Sequence, residues 1–132
     1  MSRSLITRFY LVRHGPTHAK TMIGWSDLEA DLSDQGTLDR LSAYLPKTAV
    51  MISSDLRRAV ATADCLQGPN HMRLAHDPNL RELHFGAILG MVQYALSCSV
   101  QTVFAHKIDN LSATVISFNQ ENWSLEQINL CP

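Results

Sequence analysis

The alternation of short apolar runs with capped amphipathic stretches over the first ninety residues constrains the fold more than any other feature of the sequence. Arg8 to Val12 reads as a buried strand and breaks at once into the polar turn His14-Gly15-Pro16-Thr17. Thr17 to Ala30 has no clear period and holds Gly24 and Trp25, so it reads as loop. Ser33-Asp34 suits the cap of a helix running to about Tyr44, with Leu38, Leu41 and Leu45 on one face and Pro46 closing the unit. Ala49 to Ser53 is a second short buried strand. Ser54 or Asp55 is expected to cap the next helix, which runs through Gln67 and stops at Gly68-Pro69. Met72 to His76 is a candidate third strand. Strand following helix in this order predicts an α/β fold whose sheet is parallel in its core.

The remainder has a different pattern. Met91 to Cys98 suits a helix. Ser112 to Phe118 is β-branched and apolar, Asn119 to Asn122 is a polar turn, and Trp123 to Ile128 completes a β-hairpin. There is no internal repeat, low-complexity tract or linker, and 132 residues suit a single domain over 1–132. A hydrophobic content of 45% supports a core without staples. Eleven Lys and Arg against twelve Asp and Glu leave a net charge of −1, which argues against a general nucleic-acid or membrane-surface partner. Anion recognition would then need a local cluster of positive groups. Cys65, Cys98 and Cys131 lack metal-ligand spacing, and their odd count reads as free thiols in a reducing compartment. The apolar stretch before Arg13 is too short for a signal core or a membrane span. The expectation is a soluble, cytoplasmic protein.

Three blocks carry chemistry. Arg13, His14, Gly15 and Thr17 follow directly from a strand, and loops at the carboxyl ends of parallel strands are where open α/β sheets bind ligands. An imidazole there attacks phosphorus if a nearby guanidinium neutralises the phosphate oxygens, and Gly15 lets backbone approach the anion. The plainer reading is a surface turn with a solvated Arg and His. Ser53-Ser54-Asp55-Leu56-Arg57-Arg58-Ala59 again joins a strand to a helix start, where N–H groups and the helix dipole favour anions and Arg58 adds a bidentate grip. Its plainer reading is Arg57 and Arg58 paired with Asp55 on a wet surface. In Leu80-Arg81-Glu82-Leu83-His84-Phe85-Gly86, Glu82 is suited to protonate a leaving oxygen, or else is an exposed carboxylate beside Arg81. No two of the six histidines stand at metal-binding spacing with a matching carboxylate, so no metal site is expected.

Taken together and in order, these blocks resemble the histidine phosphatase superfamily, also called phosphoglycerate-mutase-like. The matching residues are Leu11 to Thr17, Gly24-Trp25, Leu32 to Gly36, Ser53 to Ala63 and Leu80 to Gly86. The resemblance implies a three-layer α/β sandwich with a mostly parallel, shortened central sheet and a C-terminal hairpin. It implies His14 as the nucleophile that becomes phosphohistidine, Arg13 and Arg58 as holders of the phosphoryl oxygens, and Glu82 as general acid. Gly15, Thr17 and Gly24 would line the phosphate and substrate pocket. It implies no metal or organic cofactor, and a small phosphorylated molecule or phosphate as partner.

The match fails at one point. Family members carry a second catalytic histidine late in the chain, in a strand ending in His-Gly, and no such motif occurs here. After Gly90 the sequence runs directly to Met91-Val92-Gln93-Tyr94, as though an internal deletion near Gly90–Met91 had removed that strand from the middle of the sheet. Losing a central strand exposes backbone groups on two edges. Three outcomes are open: the flanking strands pair with each other, a segment such as Ser99 to His106 fills the gap, or a second copy supplies a strand in a homo-oligomer. His106 is the best substitute histidine within that segment, although packing is the commoner role for such a residue.

Two functions follow from the resemblance. One is a metal-independent phosphatase that hydrolyses phosphomonoesters through phospho-His14. The other is a catalytically impaired phosphate-binding or interaction protein that has lost the second histidine. A true mutase is less favoured, because the extra basic residues that mutases use fall in the region that reads as deleted.

Overall fold

The computed structural model describes residues 5–17, 27–81 and 108–132. Gly24, Glu82, His84, His106 and the expected helix at Met91–Cys98 lie outside the described residues. The elements are β1 (Thr7–Val12), α1 (Gln35–Tyr44), β2 (Thr48–Met51), α2 (Arg57–Leu66), β3 (Asn70–Arg73), a single 3-10 turn (Pro78–Arg81), β4 (Ala113–Phe118) and β5 (Trp123–Leu130).

Helix α1 begins where its capping residue dictates. The Asp34 carboxylate accepts hydrogen bonds from the Thr37 backbone N–H (3.1 Å) and hydroxyl (2.7 Å). These bonds hold the Asp34 carboxyl below its usual pKa. The leucine face is buried as its spacing predicts: Leu38, Leu41 and Leu45 join Leu66, Leu111 and Ala113 in the core, with Tyr10, Val12 and Met51 packed against them.

The strands form two sheets. In the first, β4 lies between β1 and β5, antiparallel to both, with Thr7 opposite Phe118 and Val12 opposite Ala113. Five of its six residues are buried, which its run of β-branched and small side chains suits. The hairpin expected from the sequence is present, joined by a turn in which Asn119 Oδ1 accepts from the Asn122 N–H at 3.0 Å. The second sheet is the parallel pair β2–β3, connected through α2. Parallel pairing is therefore confined, among the described strands, to β2–β3, and a mostly parallel sheet is corrected to this mixture. The cause is non-local: β1 is paired by a strand a hundred residues later, which arrives from a hairpin and runs against it.

Strand β3 also lies two residues earlier than the sequence suggests. Met72 and Leu74 give that stretch its apolar character, yet both are exposed, at 63% and 42%. Its start is fixed instead by His71. The Gly68 N–H donates to His71 Nδ1 at 2.8 Å, so Nε2 carries the ring proton and donates to the Pro46 carbonyl at 2.7 Å. One imidazole thus ties together the turns that enter β2 and β3.

β1 and β2 do not pair with each other. Between them lies a largely apolar groove of about 780 Å³, lined by every residue of Ile6–Val12 and Thr48–Ser54, with Ala59, Thr62, Ala63 and Leu66 from α2. Successive strand residues point to opposite faces, so a cavity lined by all of them follows the strand edges rather than a face. Neither strand is buried as the sequence suggests: Phe9, Val50 and Ile52 are exposed along these edges. Ser99 to His106 lies outside the described residues.

Candidate active site

The end of β1 carries the site. One further ladder bond, from the Arg13 N–H to the Ser112 carbonyl (3.2 Å), extends the β1–β4 pairing past Val12. The turn 108–112 then wraps the dipeptide Arg13-His14. The Leu111 N–H points at the carbonyls of Arg13 (3.0 Å) and His14 (3.3 Å), and Asn110 Nδ2 donates to the His14 carbonyl at 3.1 Å. Leu111 adopts a left-handed backbone, φ 56°, to do so. The turn is secured from β5, where Asn129 (φ 53°) accepts from the Asp109 N–H at 2.7 Å and donates to its carboxylate at 3.0 Å.

Arg13 is half-buried, and its guanidinium donates to the Ile108 carbonyl at 2.6 Å. Burial pulls its pKa below the ordinary value, against the opposing pull of Asp109. It stays charged, since a guanidinium does not deprotonate in proteins. His14 Nδ1 lies 2.7 Å from the Gly15 carbonyl. A carbonyl only accepts, so Nδ1 carries the proton and Nε2 is the basic nitrogen of the ring.

Gly15 is buried, and its need for glycine is one of space. A Cβ built there would stand 2.6 Å from Leu32 Cδ2 and 3.3 Å from the Asp31 carbonyl. Its N–H donates to the Thr62 hydroxyl (3.0 Å), which in turn donates to the Arg58 carbonyl (2.7 Å). This pair of bonds fastens the histidine turn to the first two turns of α2. Thr17 closes the described part of the turn and is half-buried. Gly24 and Glu82, the other expected site residues, lie outside the described residues.

Helix α2 starts differently from expectation. Its cap is Leu56, which offers no side-chain acceptor, rather than Ser54 or Asp55. The first helical N–H, of Arg57, is met by the Asp27 carboxylate at 2.7 Å, from thirty residues earlier. The exposed Arg57 side chain pairs with Asp27 (3.4 Å) and reaches Glu29 (3.9 Å). Arg58 turns inward and is 2% exposed. Burial lowers its pKa, with Asp27 acting in the opposite sense. Ser53 and Ser54, before the helix, are buried as well.

The structure therefore fastens the Arg13-His14-Gly15 turn, through Gly15, to the helix whose first turn carries Arg58. Sequence reasoning gave no role to Thr62, Asn110, Leu111 or Asn129, which hold that arrangement together. Thr62 had a detectable signal, standing one helical turn after Arg58. The others had none, because their partners are 15 to 98 residues away. The other described histidines are His71, whose ring nitrogens are used structurally, and the exposed His76.

Residues 9–97 match the family model of the histidine phosphatase superfamily (branch 1). A glucosyl-3-phosphoglycerate phosphatase of Mycolicibacterium vanbaalenii is 37% identical over 93 residues, covering 65% of this chain and 40% of that protein. The chain thus spans about two fifths of the length of the curated relative it matches. Among solved structures, a mycobacterial glucosyl-3-phosphoglycerate phosphatase complexed with VO3 superimposes with a TM-score of 0.75 at 20% identity, covering 92% of this chain and 98% of that one. A mutant phosphoserine phosphatase from Entamoeba histolytica, complexed with phosphoserine, gives 0.73 at 14% identity, covering 92% and 96%. At such identities the likeness is one of fold.

Proposed function

The chain belongs to the histidine phosphatase superfamily, and on that premise we propose that it is a metal-independent phosphatase hydrolysing phosphomonoesters through a phosphohistidine at His14. The observation that carries this reading is the tautomer of His14. With Nδ1–H committed to the Gly15 carbonyl, Nε2 is the nitrogen whose lone pair attacks phosphorus. The N–P bond forms as the bond to the leaving oxygen breaks. Glu82 supplies the proton to that oxygen, and its carboxylate then takes a proton from the water that attacks phosphorus, so that the N–P bond breaks, phosphate leaves and both His14 and Glu82 are restored. Arg13 and Arg58 hold the non-bridging oxygens. Both are partly desolvated, which strengthens their charge-assisted hydrogen bonds to an anion. Gly15, Thr17 and Gly24 line the pocket.

The substrate class in this reading is a small, polar phosphomonoester. The named activities of its relatives, on glucosyl-3-phosphoglycerate and on phosphoserine, share that chemistry. The same reading takes residues 1–132 as one domain of the family's three-layer type in a cytoplasmic setting. A homo-oligomer is included if a second chain fills the groove between β1 and β2.

A second reading is a phosphate-binding protein with impaired turnover. It is motivated by the sequence, in which no second His-Gly motif follows the Arg13-His14-Gly15 block. Hydrolysis of an aryl phosphate in the presence of chelator, by the wild type and by His14→Ala, separates the two. The phosphatase reading expects turnover that His14→Ala abolishes. Absent turnover, with phosphate binding that depends on Arg13 and Arg58, favours the second.

A further inference from the structure

We infer that Asn110 is a positioning residue for His14, fixing the peptide plane from which the imidazole projects. The inference rests on the reading of His14 as the nucleophile. The His14–Gly15 peptide is held at both ends. Its carbonyl accepts from Asn110 Nδ2 at 3.1 Å and from the Leu111 N–H at 3.3 Å, and its N–H donates to Thr62 at 3.0 Å. The next carbonyl along, that of Gly15, holds the ring itself through Nδ1. The direction of Nε2 is therefore set by the orientation of this peptide together with the Gly15 carbonyl that follows it.

Asn110 makes the shorter of the two contacts to the His14 carbonyl and the only one from a side chain among the hydrogen bonds described. Leu111 reaches the same carbonyl by accepting a left-handed φ of 56°, a conformation costing about 1–2 kcal/mol in a residue with a Cβ. Strain of this kind persists only where surrounding bonds over-determine it. Those bonds are present: the Ser112 hydroxyl donates to the Asp109 carbonyl at 2.7 Å, and Asn129 grips Asp109 at two points. The turn is thus a braced support that meets the His14 carbonyl through the Asn110 amide and the Leu111 N–H. Misplacing a reacting group by about 1 Å costs on the order of 100-fold in rate, so loosening this peptide should lower turnover far more than substrate binding.

The test compares wild type, His14→Ala, Asn110→Ala and Asn129→Gly. Glycine keeps the left-handed backbone at 129 while removing both contacts to Asp109. The readouts are kcat and KM on an aryl phosphate, the ¹⁵N and ¹H resonances of the His14 imidazole, and the urea midpoint as a check of folding. Expected are a fall in kcat of about 10- to 100-fold in Asn110→Ala, with KM changed less than about threefold, and displaced His14 resonances. Asn129→Gly should move both in the same direction by less. A purely structural role for Asn110 would lower the urea midpoint and leave kcat and the resonances of the folded protein in place; that result overturns the inference. If the wild type shows no His14-dependent turnover, the reading of the site fails, and the His14 resonances alone decide the positioning role. If Asn110→Ala does not fold, Asn129→Gly decides it.

Discussion

Gly15→Ala should destabilise the protein through one collision, and removing the collider should restore part of the loss. The new Cβ would lie 2.6 Å from Leu32 Cδ2, about 1 Å inside the favourable separation of two carbons, and 3.3 Å from the Asp31 carbonyl. The leucine tip can rotate away, whereas the carbonyl belongs to backbone that also bonds the Pro16 carbonyl through the Asp31 N–H. Forcing an extra carbon into such a site costs about 1–3 kcal/mol. Leu32→Ala alone removes a half-buried side chain, with a cost of about 1–2 kcal/mol, below the range for a fully buried leucine. In the double variant the principal clash is gone, so the losses should sum to less than the two singles, by about 1–2 kcal/mol. Urea unfolding resolves this, since a typical slope of about 1–3 kcal/mol per molar turns such a coupling into a midpoint difference of several tenths of a molar or more. Additivity within about 0.5 kcal/mol would refute the steric account and place the need for glycine elsewhere.

Three further outcomes are expected. Thr62→Val keeps the shape of the side chain but strands the Gly15 N–H, and should cost about 1–3 kcal/mol with loss of hydrogen-exchange protection at Gly15, while Thr62→Ser retains that protection. Gln120→Gly should raise the thermal midpoint, since Gln120 sits at φ 80° in an exposed turn where glycine relieves the backbone at a net gain of about 0.5–1 kcal/mol. Asp34 has a folded pKa below its unfolded value, so its contribution is present above the unfolded pKa of about 3.9 and is lost as pH falls through the folded one. Asp34→Asn, a neutral cap, should therefore flatten the acid limb of urea midpoint against pH, and an unchanged limb would remove the cap from the account.

Where the governing interaction was local, the sequence disclosed it. Asp34 and the leucine spacing of α1 were read correctly because a cap and its helix lie within one turn of each other. The Arg13-His14-Gly15 turn was found because a strand ending in polar residues is a local signal too. The failures share the opposite cause. Ser54 and Asp55 looked like caps, but the acceptor at the start of α2 is Asp27, thirty residues away. Met72 and Leu74 looked like strand interior, but the start of β3 is set by His71, whose ring reaches the Pro46 carbonyl twenty-five residues earlier. The antiparallel neighbour of β1 and the brace at 108–112 depend on pairings a hundred residues apart, which no local pattern encodes.

That distance has a consequence for the order of assembly. Thr7 and Phe118 are register partners more than a hundred residues apart, whereas Thr48 and Asn70 are about twenty apart. Closing the longer loop costs about 4 kcal/mol of chain entropy against about 3 for the shorter. The β2–α2–β3 unit, with Arg58 on its helix, should therefore form early. The turn bearing His14 gains its brace only when residues 108–118 have been made and have come back to it. On the ribosome, the helix bearing Arg58 would be in place before the turn bearing His14 is braced, and every nascent chain stopped short of Ile108 would carry that turn without its support from 108–112.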